Sequence, residues 1–360
     1  MADGSLLLLG LKGPKLTSEE AQRFRQLQPA GYILFTRNIE SAEQTRRLTD
    51  DLRELHGGVP PIIAIDQEGG RVTRTKDIAP SPPSAAALAA HGDMGLIADA
   101  AAHTADLLRL LGCNLNFAPV LDVDHHPDQA NALRGRCWGS DNQRVIDHAG
   151  HWNRWLRKRS VSTCAKHFPA GGRAQSDPHH DLPSSDASLE QLLADDVIPY
   201  TALMPELDAI MLAHVEFPRI DPGRPASLSP TIIRRFLRDQ LGFDDHLVLT
   251  DDLDMGAILK RYGRGEDARL AIEAGNDLAM ICHETDTAEA AAEAIATLPH
   301  GMLEDARIRV ERFREKRLHH PLLWSQTQWD VTCGKLADIA KQVPETPDEG
   351  HEIQSPVEGY

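Results

Sequence analysis

Short apolar runs alternate with longer amphipathic stretches almost from one end of this chain to the other, and the alternation repeats about eight times. The runs read as strands are LLLLG (6–10), GYILF (31–35), PIIAI (61–65), NLNFAPV (114–120), VSTCA (161–165), AIMLA (209–213), LVLT (247–250) and LAMIC (278–282). Between them lie helical candidates at 18–28, 41–55, 96–111, 142–158, 188–204, 229–240, 264–274 and 286–297. Several carry start signals: Thr17 followed by Ser18-Glu19-Glu20, Ser41 before Ala-Glu, and Ser229 before Pro230. Strands alternating with helices specify a parallel sheet, and about eight such units favour a closed (β/α)8 TIM-type barrel over a doubly wound sheet. The 360 residues suit one catalytic barrel over residues 1–320. Residues 321–360 lose apolar periodicity and end in ETPDEGHEIQSPVEGY, read as a short C-terminal appendage with an acidic, disordered tail.

Charge narrows the partners. Thirty-eight basic against 54 acidic residues give a formal −16, which opposes broad binding to nucleic acid or an anionic membrane. The five cysteines (Cys113, Cys137, Cys164, Cys282, Cys333) are scattered and form no CxxC, so neither a disulfide framework nor a structural zinc site is expected. SLLLLGL (5–11) has no basic leader and reads as a buried first strand rather than a signal peptide. No apolar run reaches membrane-spanning length. A soluble, cytoplasmic protein is the expectation. No GxGxxG opens a helix after a strand and no GxxxxGK[ST] occurs, so no nucleotide cofactor is expected.

In a parallel barrel the carboxyl ends of the strands converge on one mouth. Five of the eight runs lead there into ionisable residues: Asp66-Gln67-Glu68-Gly69-Gly70-Arg71, Leu121-Asp122, Lys166-His167, His214, and Asp251-Asp252. Strand ends begin loops, and loops are polar anyway. A collection of Asp, Lys, Arg and His with little Ser or Asn nonetheless points to catalysis and a small-molecule substrate.

Two segments stand out. KHFPAGGRAQSDPHHDLP (166–183) reads as a long active-site loop rather than a helix. Asp177 and His179 lie two apart, on one side of an extended stretch, where the carboxylate would fix the imidazole tautomer for proton exchange. The plainer alternative is a solvated loop with Asp177 capping a turn at Pro178. A metal set of His167, His179, His180, His214 and Asp181 lacks HExxH-like spacing, and no metal is expected. In TDDLDM (250–255), Asp251 follows its strand directly and should face the mouth, whereas Asp252 or Asp254 could cap the next helix.

The stretches ILFTRN (33–38), AIDQEGGRVTR (64–74), FAPVLDVD (117–124), AKHFP (165–169), DPHHDLP (177–183), MLAHVEFPRID (211–221), RPASLSP (224–230) and LGFDDHLVLTDDLDMGAI (241–258) resemble glycoside hydrolase family 3. Within it they are similar to the compact single-barrel β-N-acetylglucosaminidases. The resemblance runs in order from about residue 5 to 300. It implies a retaining exo-β-N-acetylglucosaminidase that needs no cofactor and releases terminal N-acetylglucosamine from peptidoglycan-derived muropeptides or chito-oligosaccharides. It further implies Asp251 as nucleophile in the family's S/T-D-D-L motif, His179 as a histidine acid/base, and Asp177 as its partner. Asp66, Arg74, Arg136, Lys166 and His167 match sugar-holding positions, Arg136 through the looser GRCWGSD segment. His214, at its strand end, joins them as a substrate-binding candidate.

Most retaining glycosidases use two carboxyl groups about 5 Å apart. An imidazole in place of one can protonate the leaving oxygen and later deprotonate water near neutral pH. Substrate-assisted attack by the acetamido group is the second mechanism. Departures from the family pattern cluster in one place. KHFPAGG replaces the usual KHFPGHG, placing Ala170 and Gly171 at altered positions, and Pro178 stands between the two acid/base partners. The alternatives are a family 3 glycosidase or phosphorylase for another sugar, and a non-catalytic sugar-binding barrel.

Overall fold

The computed structural model describes residues 3–126, 131–173 and 182–345. Ten strands are present among them: β1 (Leu7–Leu9), β2 (Gly31–Leu34), β3 (Ile62–Ile65), β4 (Gln67–Gly69), β5 (Val72–Thr73), β6 (Leu115–Asn116), β7 (Ser162–Phe168), β8 (Ala209–Leu212), β9 (Leu247–Asp252) and β10 (Leu278–Ile281). Eight close a parallel barrel in the order β1-β2-β3-β6-β7-β8-β9-β10, and β4 and β5 form a small antiparallel hairpin at its mouth. All eight expected strands are therefore barrel strands. Their side chains are almost entirely buried because a parallel barrel is covered on both faces, by its own core inside and helices outside.

The expected start signals operate as hydrogen bonds. Thr17 and Glu20 form a reciprocal capping box on helix Ser18–Leu27, and Ser41 with Gln44 does the same for Ala42–Glu54. The Ser229 hydroxyl accepts from the Ile232 N–H at 3.0 Å, at the entrance to helix Thr231–Gln240.

Four features depart from the expectation. The β7 strand continues through Lys166, His167 and Phe168, and β9 continues through Asp251 and Asp252, so these residues are strand residues and not loop residues. The helix expected over 188–204 is two short ones, Leu189–Ala194 and Ile198–Leu203; between them Asp195 and Asp196 receive the Arg173 guanidinium, and Pro199 opens the second. Helices Ala85–His91, Gly256–Tyr262 and His300–Arg317 lie outside the ranges that periodicity marks as helical. The segment after 321 also contains a helix, Gln326–Gln342, which buries Trp329, Thr332, Leu336 and Ile339. Its polar composition hides a narrow stripe at helical spacing. Residues 346–360 lie outside the described residues. Among the described residues, no helix is long and apolar enough to cross a membrane.

One interstrand detail positions the site. The Asn116 side chain on β6 accepts from the Gln67 N–H and donates to the Gln67 carbonyl, both at 3.0 Å. It supplies the ladder that the hairpin lacks there and fixes β4 where β3 ends. Gln67 in turn accepts from the Arg74 N–H at 3.1 Å and donates to Thr75 Oγ1 at 2.9 Å.

Candidate active site

A cavity of about 1020 Å³, counting its open mouth, lies at the carboxyl ends of the barrel strands. Asp66, Arg74, Arg136, Lys166, His167, His214 and Asp251 all line it, so the barrel gathers seven sequence-picked residues that span much of the chain. The remaining wall is largely apolar, with Ile33, Phe35, Phe117, Met211, Met255 and Met280. Asp177 and His179 lie outside the described residues, as do His180 and Asp181 of the alternative metal set.

One side of the cavity is an ionic lattice. Lys166 Nζ lies 2.7 Å from Asp66 Oδ1 and 2.6 Å from Glu68 Oε1. Arg136 grips Glu68 through Nε and Nη2, both at 2.8 Å, and Arg74 Nη2 lies 3.3 Å from Asp66 Oδ2. Burial alone would push the Glu68 carboxyl up, but the Arg136 and Lys166 charges hold it below the usual carboxylate range. Asp66 is likewise held low: burial raises it, and Lys166 and Arg74 outweigh that. Desolvation makes such a lattice a poor source of stability. What it supplies is fixed direction, because each donor is held by a carboxylate whose other oxygen is also occupied.

Across the cavity, Asp251 stands at the end of β9, where its Oδ1 accepts from the Asp252 N–H at 2.8 Å. Burial would favour its protonated form; the nearby His167 and His214 outweigh it, and the carboxyl is held below its ordinary range. Asp251 is therefore an anion at neutral pH facing the cavity.

Its neighbour Asp252 behaves in the opposite way. Burial, with Asp254 alongside, pushes the Asp252 carboxyl up to about 8. Asp254 is ion-paired to Arg264 and accepts from the His283 and Glu284 N–H groups at 2.6 and 3.0 Å. Asp252 Oδ1 accepts from the Asp254 and Cys282 N–H groups at 3.0 and 3.2 Å. Neither acid caps the following helix, whose first turn has no side-chain cap. Both tie β9 to the loop after β10 instead.

His167 Nδ1 donates to Asp122 Oδ2 at 2.7 Å, and its Nε2 lies 3.5 Å from Arg136 Nη2. His214 is fully engaged: Nδ1 meets Ser227 Oγ at 2.7 Å and Nε2 donates to the Asp252 carbonyl at 2.9 Å. It reaches the cavity wall chiefly as the support of the β9 end that presents Asp251.

The likeness of this barrel and cavity to known proteins is extensive. Residues 4–315 match the glycosyl hydrolase family 3 N-terminal domain. The chain belongs to glycoside hydrolase family 3. A β-hexosaminidase of Pseudomonas aeruginosa is 34% identical over 294 residues, which cover 81% of this chain and 86% of that protein. A family 3 β-N-acetylglucosaminidase from Paenibacillus sp. FPU-7 superposes with a TM-score of 0.86 at 31% identity, covering 94% of this chain and 68% of its own. NagZ from Neisseria gonorrhoeae, solved in complex with N-trifluoroacetyl-D-glucosamine, gives a TM-score of 0.79 at 28% identity over 94% and 99% of the two chains. The chain is accordingly a glycoside hydrolase, and its barrel is the family 3 barrel.

Two buried acids behind the cavity wall, Glu68 and Asp122, lie within the sequence motifs but gain a role only from the structure. Glu68 stands two positions after Asp66 in an extended segment, so the spacing argument that pairs Asp177 with His179 would also place it on the Asp66 side. Phe35 has no sequence signal. Its ring carries the Arg37 and Arg74 guanidinium groups at 4.6 and 5.4 Å from its centroid, and the second of these arrives from a distant segment of the chain.

Proposed function

We propose that this family 3 hydrolase is a retaining exo-β-N-acetylglucosaminidase acting on cytoplasmic muropeptides, with Asp251 as nucleophile and His179 as acid/base. The observation that carries the reading is Asp251 itself: an anionic carboxylate at a strand end, in a cavity lined by polar donors and apolar side chains together. An Asp251 oxygen attacks the anomeric carbon as the glycosidic C–O bond breaks, and the leaving oxygen takes a proton from His179. The neutral imidazole then removes a proton from water, whose oxygen displaces Asp251 and releases the sugar with its β configuration. Asp177 holds the imidazole tautomer and steadies its cation. Asp66, Arg74, Arg136, Lys166 and His167 hold the sugar hydroxyls. The relatives' names supply the sugar: a β-hexosaminidase, a β-N-acetylglucosaminidase and a NagZ bound to an N-acylglucosamine analogue.

Aryl β-glycosides of N-acetylglucosamine and of glucose, each with and without inorganic phosphate, test the reading. Preference for the N-acetyl sugar, no dependence on phosphate, and a first-formed β anomer by NMR are expected. A sugar 1-phosphate product or a first-formed α anomer would remove it.

A further inference from the structure

Asp122 makes no contact that the proposed mechanism uses, yet its side chain is completely buried and both its oxygens are occupied. Oδ2 accepts from the backbone N–H of His167 at 3.1 Å as well as from its ring Nδ1 at 2.7 Å. Oδ1 accepts from the Gly171 N–H at 2.6 Å and the Gly172 N–H at 3.2 Å. All four donors belong to the six residues that end β7 and leave it. One carboxylate on the adjoining segment thus holds the tip of a strand, a cavity-lining imidazole and the backbone leading away from them.

The sequence is fitted to that arrangement. A Cβ on Gly171 would lie 3.0 and 3.2 Å from the two Asp122 oxygens, and one on Gly172 would lie 2.3 Å from the Val123 carbonyl. The glycine pair, where the family usually has a bulkier residue first, lets the backbone come down onto the carboxylate. The ring consequence is equally direct. With Nδ1–H committed to Asp122, the His167 nitrogen left for the cavity is Nε2, in a fixed orientation beside Arg136.

We propose that Asp122 is a positioning residue for the glycosidase reaction: its buried carboxylate sets the His167 ring against the bound sugar. The proposal rests on the reading of His167 as a sugar-holding residue. Asp122→Asn preserves shape but replaces an anion that accepts at both oxygens with an amide that accepts at one. Removing the partner of an oriented histidine costs roughly 10–100-fold where such pairs support a site. A loss of that size in kcat/KM is expected on p-nitrophenyl N-acetyl-β-D-glucosaminide.

The decisive comparison is a double-mutant cycle in the full chain. In a His167→Ala background, Asp122→Asn should change kcat/KM by no more than about twofold, because the group it orients is gone. A full loss in both backgrounds, or none in the parent, overturns the proposal. A second measurement needs neither activity nor a folded Asp122 variant. The parent enzyme should show a strongly downfield exchangeable imidazole proton in its NMR spectrum, assigned by its disappearance in His167→Ala. Its absence from the parent overturns the proposal as well. If the parent shows that proton but does not hydrolyse the glycoside, the functional reading fails and the Asp122 geometry stands.

Discussion

Residue by residue, the site works by giving chemically identical groups different environments. Asp251 and Asp252 are adjacent on one strand, yet one is held as an anion by His167 and His214, and the other is kept protonated by burial beside Asp254. This has a consequence for stability. A carboxyl raised in the folded state keeps its proton where the unfolded chain has lost it. Its contribution is whole below the ordinary carboxylate range and is lost as pH rises towards about 8. Asp252→Asn removes that dependence while retaining an acceptor for the Asp254 and Cys282 N–H groups. The variant's Tm relative to the parent should therefore be higher at pH 8 than at pH 4, measured by calorimetry. An equal difference at both pH values would contradict the assignment. Asp251 is legible in the sequence because it directly follows the apolar run of its strand, at the end of the barrel where the mouth lies. Asp252 cannot be told there from a helix cap, because that distinction depends on Cys282 and His283, which come from the next strand around the barrel.

Among the elements, β7 and its exit matter most. The strand runs three residues beyond its apolar stretch, carrying Lys166 and His167 into the cavity, and Asp122 then takes over the hydrogen bonding. The extension is not legible in the sequence because Lys and His are poor strand signals. They are held there by Asp66, Glu68 and Asp122, which arrive from other segments of the chain. Capping boxes, by contrast, are local and can be read directly. The segment beyond Gly172 carries Asp177 and His179, the proposed source of the leaving group's proton. His179→Ala should cost about 10²–10⁴-fold on an alkyl glycoside, which needs a proton on departure. It should cost far less on a dinitrophenyl glycoside. Equal losses in the first step on both would remove His179 as the acid.

For the whole molecule, periodicity alone carries the eight-strand barrel, because alternation is a property of every segment and closure needs only their number and parallel order. The C-terminal helix is hidden from such a reading, since its buried face of Trp329, Thr332, Leu336 and Ile339 is thin and mixed with polar residues. We read residues 1–320 as the catalytic barrel and residues 321–360 as an appendage to it. The barrel collects Asp66, Lys166 and Asp251 from three separate strand ends around one cavity, and the proposed mechanism has one of these carboxylates attack a single carbon. The central claim is that this carboxylate becomes covalently glycosylated. A 5-fluoro analogue of an N-acetyl-β-glucosaminyl donor with a good leaving group should slow the second step and trap the adduct. Mass spectrometry of the digested protein should then show one sugar on the peptide containing Asp251 and none on an Asp251→Asn variant. Full inactivation with the sugar on another residue, or continued β-retaining turnover by Asp251→Asn, would contradict that claim.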